Sequence, residues 1–345
     1  MNFNFFKKDK MIKPSTRVYR KQVVKGVSIP AIIHNGNYYF VDLEVYEDGR
    51  VECWNFEDLE SFKRKVKSGW IVLNVPDSKA ISIHGLGAWA IRKGSWTFDS
   101  KSFVDYVLLL IKEMNPRMEN IYQYTQKIVN GVRIGESGGG IIYKDHKRTP
   151  RDPFPEKIRA DSVNMFYRSD DEYWLVKVNV FADSIIEISR LRESFEINLK
   201  GLEELITNGT ILTEIPRNAK VNIYGLGTFQ IETASYAVRV DQKLLEIRDI
   251  QRKLSGIPSS LEICREAYDK YLENPTYEQK EILKVSYENV PDHQKMFVGD
   301  MDTKDIQVRM ILYGEQEIEK WSHFQVAKQR GEKLPTLTIP KLKEE

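Results

Sequence analysis

The chain has 345 residues, a length that allows two or three domains, each able to bury a core of its own. Its 52 basic and 50 acidic residues leave a net charge of +2, so the whole-chain charge gives no reason to expect nucleic-acid or membrane binding. Its two cysteines lie far apart and outside any Cys-x-x-Cys pattern, which excludes a disulfide framework and a zinc ribbon.

The N-terminal stretch, residues 1–26, is strongly basic: eight Lys or Arg stand against one acid, Asp9. Two interpretations stay open for it, a solvated flexible tail and an arm that contacts a phosphate backbone. The first residues lack the apolar stretch of a signal peptide. The longest apolar run, 107–111, is too short to span a bilayer. We therefore expect a soluble, cytoplasmic protein with reduced thiols and no membrane contact.

A three-stranded meander is predicted over residues 27–54. The first β-rich run ends at Asn35-Gly36, the strongest short signal for a hairpin. The return strand alternates apolar and acidic residues in its second half, which is the period of a half-buried strand. A tight turn at Asp48-Gly49 leads into the third strand.

The hydrophobic period then changes to that of a helix. Leu59, Phe62 and Val66 recur at spacings of three and four in a charged background, which predicts one apolar stripe on a short helix. Gly69 stands where a left-handed C-terminal cap belongs. Two more strands follow, separated by Pro76, and a Gly-Leu-Gly bend comes after the second of them.

The same features recur in the same order at residues 162–232. Residues 173–180 match 38–45 position by position, an offset of 135, and later landmarks match at an offset of 140, so five residues are inserted between them. The later matches pair Leu59 with Leu199, Phe62 with Leu202, Val66 with Ile206, Gly69 with Gly209, Pro76 with Pro216, and 83–89 with 223–229. The sequence therefore predicts an internal duplication.

The predicted fold class is α+β: two tandem small antiparallel β domains, each followed by a helix, and an α-helical C-terminal region. The order strand-strand-strand-helix-strand-strand is compatible with three folds: an OB-like barrel, an SH3-like barrel and a curled sheet with one covering helix. The predicted parts are a basic arm 1–26, repeat 1 over 27–129, a Gly/Pro-rich basic linker over 130–160, repeat 2 over 161–256, a helical region over 257–331 and a tail over 332–345.

In the helical region, two capping boxes mark helix starts: Ser259 with Glu262, and Thr276 with Gln279. A single long helix, capped by Asp302 or Thr303, is predicted after them, up to Gly331.

One acidic cluster, Asp300, Asp302 and Asp305, has carboxylates close enough in sequence to hold a divalent cation. The alternative is that these acids cap a helix start and complement its dipole. A metal-dependent enzyme built on Asp300, Asp302 and His323 is the third functional hypothesis. No catalytic residue is assigned, and neither a cofactor nor a metal ligand set is expected.

Aromatic residues on the predicted strands allow two interpretations, core packing and stacking platforms for single-stranded nucleic acid. Neighbouring aromatics in a strand must point to opposite faces, so one of each such pair faces outward. The residues concerned are Tyr38, Tyr39, Trp54, Trp70, Trp89, Tyr173, Trp174 and Phe229.

Two stretches resemble known families. Residues 39–54, YFVDLEVYEDGRVECW, together with IHGLG at 83–87, resemble a family of uncharacterised bacterial domains. Residues 299–323, from GDMDTKD through YGE to WSH, are similar to the end of a second such family. The resemblance implies a bacterial origin, but no activity and no site residues.

The sequence favours a non-enzymatic protein-binding or scaffold protein. Duplication without a shared polar constellation leaves two related surfaces, and the helical C-terminal region is expected to dock a protein partner or a second copy. Nucleic-acid binding through the arm 1–26, the linker 130–160 and the strand aromatics is the alternative, and it predicts salt-dependent affinity.

Overall fold

The structure is a computed structural model of the chain, and it describes residues 16–20, 24–138 and 160–343. The described residues fall into two compact units. Unit 1 contains the chain up to 138 together with Ser162–Asn179 and Ile185–Val238. Unit 2 contains the chain from Arg239 onwards together with Val180–Ser184 and residues 160–161.

Repeat 1 contributes seven strands and two helices, preceded by one short strand. They are β1 (Thr16–Arg20), β2 (Val24–Asn35), β3 (Asn37–Tyr46), β4 (Val51–Cys53), β5 (Asn55–Glu57), α1 (Leu59–Lys67), β6 (Ile71–Val72), β7 (Ala80–Ile83), β8 (Gly87–Trp96) and α2 (Ser100–Met114).

A hairpin follows α2, with strands β9 (Gln123–Val129) and β10 (Val132–Gly138) paired in a two-stranded sheet. It begins before the expected end of repeat 1 and runs into the predicted linker. The rest of that linker, 139–159, and most of the basic arm, 1–15 and 21–23, lie outside the described residues.

Repeat 2 presents the same elements in the same order. They are β11 (Ala160–Ser169), β12 (Glu172–Phe181), β13 (Ile186–Ser189), β14 (Phe195–Ile197), α3 (Leu199–Thr207), β15 (Ile211–Leu212), β16 (Lys220–Ile223), β17 (Gly227–Ala237) and α4 (Val240–Leu254). The last of these, α4, belongs to unit 2.

The short helix of each repeat begins and ends in the same way. The Asp58 side chain accepts the Ser61 N–H at the start of α1, and the Asn198 side chain accepts the Gly201 N–H at the start of α3. After each helix comes a glycine in the left-handed region, at φ 75° for Gly69 and φ 71° for Gly209. These are the glycines that the sequence places at the helix ends.

The described strands of both repeats build one sheet. Its order is β1-β2-β3-β7-β8-β17-β16-β12-β11-β15, so the strands from β2 to β8 are mirrored by those from β11 to β17. The last strands of the repeats, β8 and β17, pair antiparallel, from Gly227 opposite Trp96 to Ala237 opposite Gly87. The parallel pair β3–β7 recurs as β12–β16. The repeats are therefore related by an approximate twofold axis at the β8–β17 junction.

The sheet of unit 1 curls strongly. Four strands separate β3 from β12 in the order, so a flat sheet would hold them roughly 24 Å apart. Nevertheless, the Asp42 carboxylate on β3 lies 2.9 Å from the Lys177 ammonium on β12. The curl brings the two repeats around one apolar core, in which Trp89 packs edge-on against Phe166 with ring centroids 5.2 Å apart.

The expectation of an OB-like or SH3-like barrel in each repeat is not confirmed, whereas the coarser α+β class is. No ring of strands closes among the residues that the structure describes. The physical reason is that the outer edge of β8 pairs with β17 of the other repeat, so it is not available to close the sheet of its own repeat. A curled sheet, the third expected form, describes the strands best, but both repeats share it.

Unit 2 is helical after α4. Its further elements are α5 (Ser260–Glu273), α6 (Tyr277–Glu288), α7 (Asp292–Lys295), α8 (Ile306–Tyr313), a 3₁₀ helix (Glu315–Lys320) and α9 (Ser322–Arg330). Ser259 and Glu262 form a reciprocal capping box at α5, and Thr276 caps α6 by accepting the Gln279 N–H.

The prediction of a single long final helix is wrong. Gly314, with φ 111°, ends α8, and the chain continues as the 3₁₀ helix and then as α9. A residue at that φ cannot continue an α-helix. Within the described ranges, every helix is too short or too polar to cross a lipid bilayer.

Candidate binding site

The strand aromatics divide into core residues and surface residues. Trp89 and Phe229 are buried, and Tyr38 and Tyr173 pack against the same core. The remaining rings of repeat 1, Tyr39, Trp54 and Trp70, come together at the surface. We name these three residues the aromatic patch.

Trp54 is the centre of the aromatic patch. Its ring centroid lies 5.8 Å from that of Tyr39 and 5.8 Å from that of Trp70, with interplanar angles of 57° and 86°. Trp54 is 55% exposed, whereas Tyr39 and Trp70 are half-buried. The three rings therefore form an angular apolar surface instead of a parallel stack.

A cation and an acid border the patch. The Lys65 ammonium lies 3.9 Å from the centroid of the Trp70 ring, a cation–π contact. The same ammonium is 2.6 Å from the Glu57 carboxylate, and both side chains are at least three-quarters buried. The charge of Lys65 is thus neutralised by Glu57, and its ammonium covers part of the Trp70 ring.

A polar cleft of about 840 Å³ adjoins the patch through Glu57. Its Asp58 carboxylate accepts the N–H groups of Ser61 at 2.7 Å and Tyr124 at 2.8 Å. Burial alone would raise the pKa of Asp58, but these hydrogen bonds hold the pKa below its usual value. Because Asp58 caps α1 and Glu57 pairs with Lys65, both carboxylates of the cleft have structural partners. The other lining residues are Arg64, Tyr122 and Thr125.

Repeat 2 has no equivalent patch. Arg190 directly follows β13, as Trp54 directly follows β4, and both have left-handed backbones, at φ 65° and φ 66°. Arg190 is buried, and its guanidinium pairs with Asp42 of repeat 1 and lies 5.0 Å from the Phe40 ring centroid. The position that is an exposed tryptophan in repeat 1 is therefore, in repeat 2, a buried arginine that packs against repeat 1.

Two of the three acids of the candidate metal cluster, Asp300 and Asp305, have separate hydrogen-bond partners. The Asp300 carboxylate accepts the N–H groups of Asp302 and Thr303, and these bonds hold its pKa below the usual value despite some desolvation. The Asp305 carboxylate accepts the Tyr287 hydroxyl at 2.5 Å. In the part of the chain that the structure describes, no three His, Cys, Asp or Glu side chains are grouped so that they could hold a metal ion.

His323 is exposed on α9, and its ring lies 4.9 Å from that of Trp321. Cys264 is buried in unit 2, where burial raises the pKa of its thiol to about 12. Such a thiol is a packing group at neutral pH because almost none of it is ionised.

A family model described as Domain of unknown function (DUF7638) matches the chain over residues 14–118 and again over 148–258. The chain belongs to this family. The same model matches two successive stretches of the chain, which confirms the duplication. A second model, Domain of unknown function (DUF7639), matches residues 259–336, the helices of unit 2 after α4. The resemblance to two families without a known activity is thus confirmed. Searches of curated proteins and of solved structures found no match.

Sequence reasoning named all three patch residues but could not group them. Tyr39, Trp54 and Trp70 come from a strand, a turn and the residue before β6, and only the packing of these elements brings their rings together. Arg190 was missed altogether, because it stands among other charged residues, Glu187, Arg192 and Glu193, and no local pattern distinguishes it from them.

Proposed function

We propose that this chain is a non-enzymatic, cytoplasmic binding protein that recognises a protein partner through the aromatic patch of repeat 1. The observation that carries the proposal is the 55% exposure of Trp54 at a left-handed backbone position. The left-handed backbone conformation destabilises the folded chain by about 1 kcal/mol at a non-glycine residue. Because more than half of the Trp54 side chain is exposed, its burial offsets little of this cost. Tryptophan is among the residues most enriched in the energetic centres of protein interfaces.

The charges around the patch favour protein over nucleic acid. Phosphate contacts need cations that are not already neutralised, and Lys65 is paired with Glu57. Base stacking needs a flat free ring face, and the Trp70 ring is partly covered by Lys65 while the Trp54 ring meets it edge-on. An angular apolar surface with a neutral rim suits aliphatic and proline side chains of a protein partner.

A binding role also agrees with the state of the nearby carboxylates. Acid–base catalysis needs a side chain whose proton is available to a substrate. Asp58 holds two backbone N–H groups and Glu57 holds Lys65, so both are committed to the fold.

Affinity capture with three forms of the chain tests the proposal. The wild type, Trp54→Ala and Tyr277→Ala serve as baits in lysate of the native cell, with and without nuclease. Tyr277 is the matched control, because it is an aromatic residue of unit 2 with 65% exposure. We expect a protein partner to bind the wild type and Tyr277→Ala equally, and to bind Trp54→Ala about 30-fold more weakly.

The purified partner is then titrated against each form to measure the affinity ratio, and the melting temperature of Trp54→Ala should equal that of the wild type. Equal binding of the partner to all three forms would place the binding site elsewhere. Nucleic acid recovered in place of protein, and lost with nuclease, would support the alternative that uses the basic arm 1–26.

A further inference from the structure

Residues 332–343 form neither helix nor strand, yet they pack against the helices of unit 2. Pro335, Leu337 and Ile339 are half-buried, whereas the two threonines between them are exposed. Alternation of this kind is typical of an extended chain lying on a surface, because successive side chains point to opposite sides. Ile339 contacts both apolar clusters of the unit, and Leu337 contacts the one that contains Trp321.

Side chains of unit 2 hold the main chain of this segment. The Gln307 side-chain amide donates to the Thr338 carbonyl at 3.1 Å, and the Tyr271 hydroxyl points to the Pro340 carbonyl at 3.5 Å. These contacts are made to main-chain carbonyl oxygens, so any extended peptide could form them. One backbone–backbone hydrogen bond, from the Lys343 N–H to the Pro275 carbonyl, fixes the far end.

The segment does not fill the groove in which it lies. A cleft of about 590 Å³ remains between residues 336–342 and the helices. Its apolar lining comes from Tyr271, Met310, Ile311 and Ile318, and its rim carries Lys280 and Glu315. Partial burial of the anchors and this remaining space indicate a replaceable occupant.

We propose that this groove is a peptide-binding site, with residues 335–343 bound in it as an internal ligand. The partner is an extended segment of another protein with apolar residues at alternate positions and a following proline, the pattern of Leu337-Thr338-Ile339-Pro340. Peptide recognition of this kind takes affinity from main-chain hydrogen bonds and specificity from sockets for alternate side chains. The groove lies in unit 2, so this proposal is independent of the aromatic patch.

Release of the internal ligand controls access to the groove. A tethered segment competes at an effective concentration of roughly millimolar. The same peptide added in solution must therefore bind much more weakly to the wild type than to a chain whose own segment cannot dock.

The test uses the full chain carrying Leu337→Asp and Ile339→Asp, and a fluorescent peptide with the sequence of residues 333–343, KLPTLTIPKLK. Fluorescence anisotropy should show binding to this double variant about tenfold or more tighter than to the wild type. A control peptide with the same two aspartates should not bind. Adding Ile318→Asp to the double variant should abolish binding, because Ile318 lines the groove.

Far-UV circular dichroism and a cooperative thermal transition establish that the variants are folded. If the double variant is unfolded, tryptic cleavage after Lys341 in the wild type decides instead. Excess unlabelled peptide with glutamine in place of its lysines, which trypsin does not cut, should accelerate that cleavage by displacing the internal segment, and an unchanged rate would overturn the proposal.

No binding of peptide to a folded double variant, or equal binding to variant and wild type, would also overturn it. Light scattering tests the other source of such a segment. A wild-type dimer that is lost in the double variant would assign the segment to a second copy and overturn the assignment to another protein.

Discussion

Trp54 and Arg190 occupy corresponding places in the two repeats, with the same left-handed backbone and opposite surroundings. Arg190 is buried and pairs with Asp42, and its guanidinium also donates to the Asn164 side chain at 2.9 Å. Asp42 itself matches Lys177 in the duplication, and these two side chains pair across the approximate twofold axis. The same position of the duplicated unit is therefore acidic in repeat 1 and basic in repeat 2. Identical charges at this position would repel each other across the axis, whereas opposite charges attract.

Asp42→Asn should lower the free energy of unfolding by about 2–4 kcal/mol, because it leaves the buried Arg190 guanidinium without its carboxylate. Urea unfolding at neutral pH measures the loss. Glu172→Gln is the matched control, since it removes a more exposed pair with Lys220, and it should change stability by less than about 1 kcal/mol. Equal losses for the two variants would contradict this role of Asp42.

The pH dependence of the Asp42→Asn effect checks its cause. Burial by itself raises the pKa of Asp42, but the charges of Arg190 and Lys177 outweigh it and hold the pKa below that of an unfolded aspartate, about 3.9. The stabilisation is therefore fully present above the unfolded pKa and is lost as pH falls through the folded pKa. The difference in stability between wild type and variant should narrow below about pH 4; a difference that widens on acidification would refute the ion pair as its source.

At the scale of elements, the Gly-Leu-Gly bend is the joint between the repeats. The Thr97 N–H donates to the Leu226 carbonyl at 2.9 Å, and the Val238 N–H donates to the Leu86 carbonyl at 2.8 Å. In each repeat, the leucine carbonyl of the bend thereby accepts a hydrogen bond from the residue that follows the last strand of the other repeat. A Cβ on Gly87 would lie 2.5 Å from the Tyr236 carbonyl oxygen, so the backbones approach too closely there for any side chain.

Gly87→Ala and Gly227→Ala should each destabilise unit 1 by about 2 kcal/mol or more, because each new methyl group meets backbone that cannot move alone. At Gly227 the opposing atom is the Ser95 carbonyl oxygen, which would lie 2.6 Å from the added methyl carbon. Thermal unfolding measures the effect. Gly138→Ala is the control, since no atom of the described residues lies within 4 Å of the added Cβ. Bend variants as stable as the control would show that the junction tolerates a wider spacing.

The β9–β10 hairpin was missed although its signal was present. Asn130-Gly131 forms the two-residue turn of the hairpin, with positive φ at both residues, 51° and 81°. Val129 and Val132 flank this turn and pair with each other. The glycines that follow it made a linker the simpler interpretation. Conversely, the apolar period through Gly314 favoured one long helix, because periodicity by itself does not reveal a positive φ.

At the scale of the whole molecule, unit 1 is one compact unit that contains most of both repeats. Both contribute to a single core, and the Trp96 ring of repeat 1 stacks on the Phe229 ring of repeat 2 with centroids 6.0 Å apart. Repeat 1 alone would expose this surface and the unpaired edge of β8.

A fragment of residues 24–138 should therefore lack a cooperative thermal transition, whereas a fragment of residues 1–258 should have one. Loss of the core shared with repeat 2 removes the partners of Trp89 and Trp96 from the shorter fragment. Circular dichroism followed over temperature compares the two. A sharp transition in the shorter fragment would mean that repeat 1 folds without its partner.

The sequence by itself determined the duplication, the meander of strands followed by a short helix and further strands in each copy, the glycines that end the short helices, and the helical character of unit 2; it did not reveal the short strands β5 and β14. The features that it determined follow from local rules: the period of apolar residues, the caps of helices and the dipeptides of turns. Only the tertiary structure decided that the repeats share one curled sheet, that Asp42 meets Lys177 and Arg190, and that Tyr39, Trp54 and Trp70 form one surface. Those contacts join residues far apart in the chain, and which strand edges meet depends on packing that no local pattern encodes.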